Sequence, residues 1–513
     1  MWKKGKEVDQ HLYSSKSLRR LLIPIMVEQL LSSLMGTADT IMVSNVGSSA
    51  ISAVSLVDSI NVLVIQAFSA LAAGGAILCS QYLGNGNQKE ANRAASQVLF
   101  VTASLSTLLS LFCLVFKTPL LRLIFGSVEE SVMRDSQIYF FFTLLSFPFI
   151  GLYDAGASIF RSQNNTRGPM IISVISNFMN IIGNAILIWG FDMGVAGAAI
   201  STLVSRIFCA AVVLWQLRSP LQPIRVRQYF RIRPDWSLIK KILSIGIPSG
   251  VENSMFQFGK LSIQSTVSTL GTAAIAAQAM TNILENLNGV AAMGVGIGLM
   301  TVVGQCIGAG RRDEAVYYVK KLSWFAELVL IASCLAVFVA SWPITVLGGM
   351  EAVSARMCLQ MIAVITIVKP LVWIPAFIPA YGMRAAGDVK YSMIVSCASM
   401  WIFRVTLCII LCRFLYKIMI IRHCRDLGEM GNTDHLTASA DQSQPLSYFA
   451  GRDPAYAGVN LIKDQCRRIF LICQHSLYSK HDTGKLSAGC NTAHGLQRLA
   501  RIRRQIEFRI IPS

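Results

Sequence analysis

The sequence predicts an all-α polytopic membrane protein built from two parallel repeats of six-helix type, and three observations predict it. Over half of the 513 residues are hydrophobic and only 14% are charged, against about 25% charged in soluble domains; mean hydropathy is +0.53. Apolar runs recur along residues 21–415, many reaching the ~20 residues that cross a ~30 Å hydrocarbon core. Finally, GGAILCSQYLGNGNQKEA at 74–91 returns 224 residues later, without a gap, as GLMTVVGQCIGAGRRDEA at 298–315, with six of eighteen pairs identical. The same shift pairs Pro24 with Pro248, Glu28 with Glu252 and Gly47 with Gly271. One unchanged offset over so many pairs means that the chain is built twice.

Residues 1–20 are polar and basic, with no small-residue cleavage site, and read as a retained cytoplasmic N-terminus rather than a signal peptide. Six apolar spans follow at about 21–43, 50–83, 95–116, 138–160, 170–189 and 195–215, forming a first lobe over 21–216. Residues 217–241 hold seven Lys/Arg against the single Asp235 and read as a basic linker. A second lobe over 242–415 brings spans at 242–270, 273–307, 322–347, 357–381 and 391–415. Eleven spans are visible, and the twelfth is missing: 419–439, where the shift would set it, is too charged to cross a bilayer. The tail, 416–513, has five of the six histidines and no apolar run long enough to span. It reads as disordered, with a shifted reading frame as its simplest origin.

Lys/Arg collect at the N-terminus and in the loops after spans two, four, six, eight and ten. By the bias of positive loops towards the inside, the N-terminus is expected in the cytoplasm of a multi-pass cell-membrane protein. Six crossings return the chain to its starting side, so the lobes should be related by a pseudo-two-fold axis along the membrane normal.

The net charge of +19 resides mainly in loops and tail, so nucleic acid is not the expected partner. Thirteen cysteines form no CxxC pair, so neither a disulfide framework nor a zinc site is expected. The chain has no GxxxxGK[ST] loop to cradle ATP phosphates. No cofactor is expected beyond a coupling ion. The spans contain no histidine, which argues against a membrane-embedded enzyme.

Carboxylates inside spans are the candidates for chemistry, because each costs about 2.5–3.5 kcal/mol at mid-membrane by insertion scales. Asp39 comes first: eleven residues from Glu28, it returns within about 20° to the same helix face. Its second-half counterpart is Ile263, so the charge is no symmetric structural requirement. Asp58, one turn before Asn61, and Asp154 add two acids to the first lobe. Asn177, Asn180 and Asn184 form one polar stripe, suited to a cavity or to interhelical hydrogen bonds. In the second half Glu252 follows Pro248 as Glu28 follows Pro24, both near the membrane surface, with interfacial and gating roles open. Glu285 lies deeper, and Lys260 is expected to pair with it or with Asp39.

GTADTIMVSNVG (36–47), SQYLGNGNQKEA (80–91), GQCIGAGRRDEA (304–315), RSQNNTRGPMIIS (161–173) and MRAAGDVKYSMIVS (383–396) resemble the multidrug and toxic compound extrusion family. The resemblance spans about 15–415. It implies twelve helices in two lobes around a cleft and alternating-access export of amphipathic organic cations, driven by Na+ or H+. It also makes Asp39 the first-helix coupling acid, sets Asn180 on the cavity of the first lobe, and implies a Na+ site near Asp39, Asn180 and Asn184 if Na+ couples. Proton-coupled members often carry Asp where this chain has Asn184, and sodium-coupled members carry acids in the tenth helix, where Lys369 and Trp373 stand here. A lipid-linked saccharide flippase of the same superfamily is the alternative; it would favour a cavity rich in Arg and Lys, whereas these spans hold mostly acids. Small organic cations and membrane lipid are the expected partners, and a monomer the expected state.

Overall fold

Polar loops separate the apolar runs, and each run closes its backbone hydrogen bonds within itself, as the hydrocarbon phase demands. A computed structural model describes residues 11–44, 46–126, 129–226, 229, 232–267, 272–347 and 350–410. The first lobe holds α1 (Ser15–Ser44), α2 (Ser48–Gly84), α3 (Gln88–Val115), α4 (Lys117–Phe125), α5 (Glu130–Ser162), α6 (Arg167–Asn184) and α7 (Gly194–Leu217). The second holds α8 (Trp236–Val267), α9 (Thr272–Gly308), α10 (Arg312–Leu347), α11 (Ala352–Ala386) and α12 (Val389–Ala398). All belong to the unit Met1–Met430; a second unit, Gly431–Ser513, lies outside the described residues, and so does the predicted missing helix at 419–439.

Among the described residues ten of these helices have 18 residues or more and α12 continues through further helix to Ile410, eleven long elements as the apolar runs predict. Nine of the eleven have the length and apolarity to cross a membrane. The two that fall short, α1 and α8, are those interrupted by Pro24 and Glu28 and by Pro248 and Glu252. At 37 residues each, α2 and α9 are about 55 Å long and overreach the hydrocarbon. The twelfth described helix, α4, stands where the sequence reads as a loop: in KTPLLRLIF the apolar residues cluster, and Leu121 is fully buried against the first lobe. The linker is likewise not free, since Ile224 and Val226 are buried in the core of the first lobe and Ile224 N donates to Gln163 Oε1 at 2.9 Å.

Two helices change their winding. α6 passes directly into a π-helix at Ala185–Gly190, and α12 into another at Ser399–Val405. Such wide turns are rare and occur frequently at functional sites.

The lobes meet by a reciprocal exchange. α2 crosses α8, where a Cβ on Gly74 would lie 2.9 Å from Gly246 N; at the related crossing of α1 and α9, a Cβ on Gly294 would lie 3.0 Å from Met26 Cα. Only glycine lets backbones approach this closely. The 224-residue shift maps one crossing onto the other, as a pseudo-two-fold axis requires.

Candidate functional site: a cleft between unlike lobes

The repeated motif ties the two lobes together where α2 and α9 end. Gly86 and Gly310, equivalent by the shift, adopt φ of 70° and 75° and turn the chain out of α2 and α9. Asn87 then caps α3, its side chain accepting from Glu90 N at 3.1 Å. Just before the turns, Gln81 Nε2 donates to Ala385 O at 2.9 Å, while Gln305 Nε2 donates to Ser162 O at 2.8 Å. Each glutamine thus ties its own lobe to the other. A Cβ on Gly84 would run into the carbonyl of Gln305, and one on Gly308 into that of Gln81. Tyr13 adds a latch: its hydroxyl donates to Asn164 Oδ1 at 2.8 Å and lies against the Gln305 side chain, and burial raises its pKa, which keeps it protonated.

Just above this end, two ion pairs mirror each other. Arg161 Nη2 donates to Glu28 Oε1 at 2.6 Å, and Arg384 Nη2 to Glu252 Oε1 at 2.6 Å. Glu28 is 2% exposed and Glu252 7%, and each is sealed inside its lobe by an arginine. The shift of 224 carries Arg161 to one residue beyond Arg384, a signal in the sequence that goes unread until the pairs are seen.

Further from the closed end, the first lobe carries a connected polar chain. Asn184 Nδ2 donates to Asp39 Oδ1 at 2.6 Å and lies 3.3 Å from Asn180 Oδ1. Asn180 Nδ2 in turn donates to Thr202 Oγ1 at 3.2 Å. The chain therefore links α1, α6 and α7, and the π-helix begins at the residue after Asn184. Both asparagines are fully buried, and Asn184 Oδ1 has no hydrogen-bond partner. Asn177 stands apart from the chain, with its Nδ2 buried and unpartnered.

Asp58 accepts from Asn61 Nδ2 at 3.1 Å and from the Tyr139 hydroxyl at 3.4 Å. Asp154 leaves Oδ2 buried without a partner. Sequence reasoning misses the residue among these acids: Arg206 of α7 donates to Ser146 Oγ at 2.6 Å and lies within Coulombic range of Asp39, Asp58 and Asp154. Nothing in the local sequence sets it there, because its partners come from α1, α2 and α5.

The second lobe differs. Glu285 pairs at 3.7 Å with Lys369 of α11, whose Nζ also donates to the Glu285 carbonyl at 2.9 Å. The expected partner Lys260 does not make that pair; it lies over the Phe256 ring, 5.3 Å from its centroid. Arg404, inside the second π-helix, lies over the same ring at 5.4 Å. The expectation that acids dominate the cavity therefore fits the first lobe, not the second. Asn282, a turn before Glu285, accepts from Gln278 instead.

Long helices in two pseudo-symmetric lobes, tied together at one end and carrying unlike charged clusters beyond it, define a membrane transporter of the internal-repeat class. The MatE family model matches residues 24–186 and 248–410, more than half of the chain and twice the same segment at the 224-residue offset. The chain belongs to this family. It is 27% identical over 394 residues to the uncharacterized transporter YisQ of Bacillus subtilis, covering 75% of this chain and 85% of that one. It is also 27% identical over 326 residues to the probable multidrug resistance protein NorM of Thermotoga maritima, covering 61% and 68%. In fold it is similar to a MOP superfamily transporter from Pyrococcus furiosus, whose binding pocket is described as of reverse polarity. The TM-score is 0.72 at 19% identity, covering 78% of this chain and 88% of that one.

Proposed function

We propose that this protein is a secondary antiporter that exports amphipathic organic cations by alternating access, driven by Na+ or H+ entering through the first lobe. One observation carries the reading: the half-buried carboxylate of Asp39 is held by Asn184, whose own Oδ1 has no donor. A carboxylate beside an orphaned carbonyl oxygen is a donor set for a hard cation. With the Asn184 amide turned over, so that Oδ1 stands where Nδ2 faces Asp39, the residues fit Na+, with Asp39, Asn184 Oδ1 and Asn180 Oδ1 as its ligands, and they equally fit a proton on Asp39 donated to Asn184 Oδ1. Either occupant neutralises Asp39 and weakens its hold on Asn184 and, through Coulombic range, on Arg206. Because the chain crosses from α1 to α6 and α7, that change can alter how these helices pack. Asp58 and Asp154 supply negative charge for an organic cation once the coupling ion leaves.

On this reading the N-terminus and the 81–84/305–308 end face the cytoplasm, and the cleft faces outward. The test is uptake of ethidium into proteoliposomes under an imposed Na+ gradient or an imposed pH gradient, each alone. One of the two should drive accumulation, since each tenfold step in an ion gradient supplies about 1.4 kcal/mol per ion. Ethidium fluxes equal to those of empty liposomes under both gradients would sink the reading.

A further inference from the structure

Lysine and arginine inside spans normally pair with an acid or with backbone carbonyls, since an unpaired charge there is costly. Most of the cations in these spans follow the rule: Arg161 with Glu28, Lys369 with Glu285, Arg384 with Glu252, and Arg206 among three aspartates. Lys260 and Arg404 do not. Among the described residues neither makes an ion pair, and the neighbouring acid, Glu285, is already held by Lys369. Instead both rest on one ring, that of Phe256, which packs edge-on against Phe377 at 5.9 Å; Phe377 in turn stacks on Trp373 at 4.9 Å.

The two cations come from different helices and are brought together. Gly259, next to Lys260, seats the side chain of Met400 from the second π-helix, four residues before Arg404. Both side chains are exposed rather than packed away. Two like charges rest against one aromatic ring, close enough to repel each other. Such an arrangement is unfavourable by itself and becomes favourable when an anion bridges them.

We infer that Lys260 and Arg404, set on the Phe256–Phe377–Trp373 rings, form a binding site in the second lobe for the anionic group of an aromatic ligand. The guanidinium offers the planar fork that matches a carboxylate or phosphate, the ammonium a point charge beside it. The rings receive the aromatic body of the ligand by stacking. With aspartates grouped in the first lobe and these cations in the second, the protein would accept molecules that carry an anionic group as well as cations. This rests on the transporter reading and deepens it by adding aromatic anions to the ligands the protein accepts, but the site can be tested without transport.

The experiment measures binding to the purified full-length protein in detergent, with no gradient, using two matched pairs. Flavin mononucleotide and riboflavin differ by a phosphate; 1-naphthoate and 1-naphthamide differ by a carboxylate charge. At least one anion should bind about tenfold more tightly than its neutral partner, the size expected of charge-assisted hydrogen bonds, and which pair responds identifies the anionic group. In K260Q/R404Q that preference should vanish, while affinity for the neutral partner and the melting temperature in detergent stay close to those of the wild type. No anion preference in the wild type for either pair would overturn the proposal, without needing the variant to fold. A preference that survives in a folded K260Q/R404Q would overturn the assignment to these residues. Failure of ethidium transport with intact anion preference would count against the antiporter reading alone.

Discussion

The two lobes share a scaffold and differ in what they carry. Apart from the Tyr13 latch, what holds the lobes together at one end occurs twice: the glycine turns, the Gln81 and Gln305 ties, and the Glu28–Arg161 and Glu252–Arg384 pairs. What lies beyond that end occurs once. The first lobe has Asp39, Asp58 and Asp154 around Arg206; the second has Lys260 and Arg404 on an aromatic face, with Glu285 consumed by Lys369. On the alternating-access reading, rocking one lobe against the other requires matched surfaces, which assigns the symmetric features to the motion. Coupling and recognition would require a direction, which assigns the asymmetric ones to the chemistry.

The sharpest way to break this division is at Asp39. Asp39→Asn should abolish gradient-driven ethidium transport to the level of empty liposomes while leaving yield and melting temperature close to wild type, because the amide can still accept from Asn184. The corresponding second-lobe residue, Ile263, should tolerate Val with near-normal transport. Wild-type rates from a well-folded Asp39→Asn protein would return the acid to a structural role.

The mirrored ion pairs should instead be equal. Breaking a buried pair strands a charge and costs about 3–5 kcal/mol, so Arg161→Met and Arg384→Met should each lower folded yield and thermal stability strongly and by similar amounts. The double changes E28M/R161M and E252M/R384M remove both charges and should recover much of that loss. Thermal unfolding in detergent, followed by intrinsic fluorescence, checks this; a loss confined to one lobe would end the symmetry argument.

The closed end should respond more gently. Gly84→Ala places a methyl group against the Gln305 carbonyl, and Gly308→Ala does the same at Gln81. Each should shift the population towards the state open at that end rather than unfold the protein. Spin labels at the exposed positions Lys89 and Arg312 should report a longer distance component in the variants. Unchanged distance distributions in both would show that these crossings do not gate.

How much of this was legible depends on range. The 224-residue offset reads directly as a repeated fold, because it is one period carried by many residues. Asp39 and the Asn180–Asn184 stripe are legible because helical spacing and the cost of a polar group in hydrocarbon are local rules. Arg206 and the Lys369–Glu285 pair are not, since their partners lie 80 or more residues away in most cases and no local pattern encodes which helices meet. α4 fails for a different reason: nine residues are too few for periodicity to distinguish a helix from an apolar loop.

The smallest effect separates members of a single stripe. Asn177, Asn180 and Asn184 are equivalent by spacing, yet only the latter two enter the chain that ends on Asp39. The buried Nδ2 of Asn177 has no acceptor, and an unsatisfied buried polar atom costs about 1–3 kcal/mol. Removing it leaves a small cavity but relieves that cost, so the two terms offset each other. Asn177→Ala should therefore change thermal stability by less than about 1 kcal/mol and leave the Na+ or H+ dependence of ethidium transport where it is. Asn184→Ala, which frees the Asp39 carboxylate, should shift that dependence. If Asn177→Ala shifts it as far as Asn184→Ala does, the polar chain extends one turn further down α6 than its hydrogen bonds indicate, and the coupling site must be redrawn to include it.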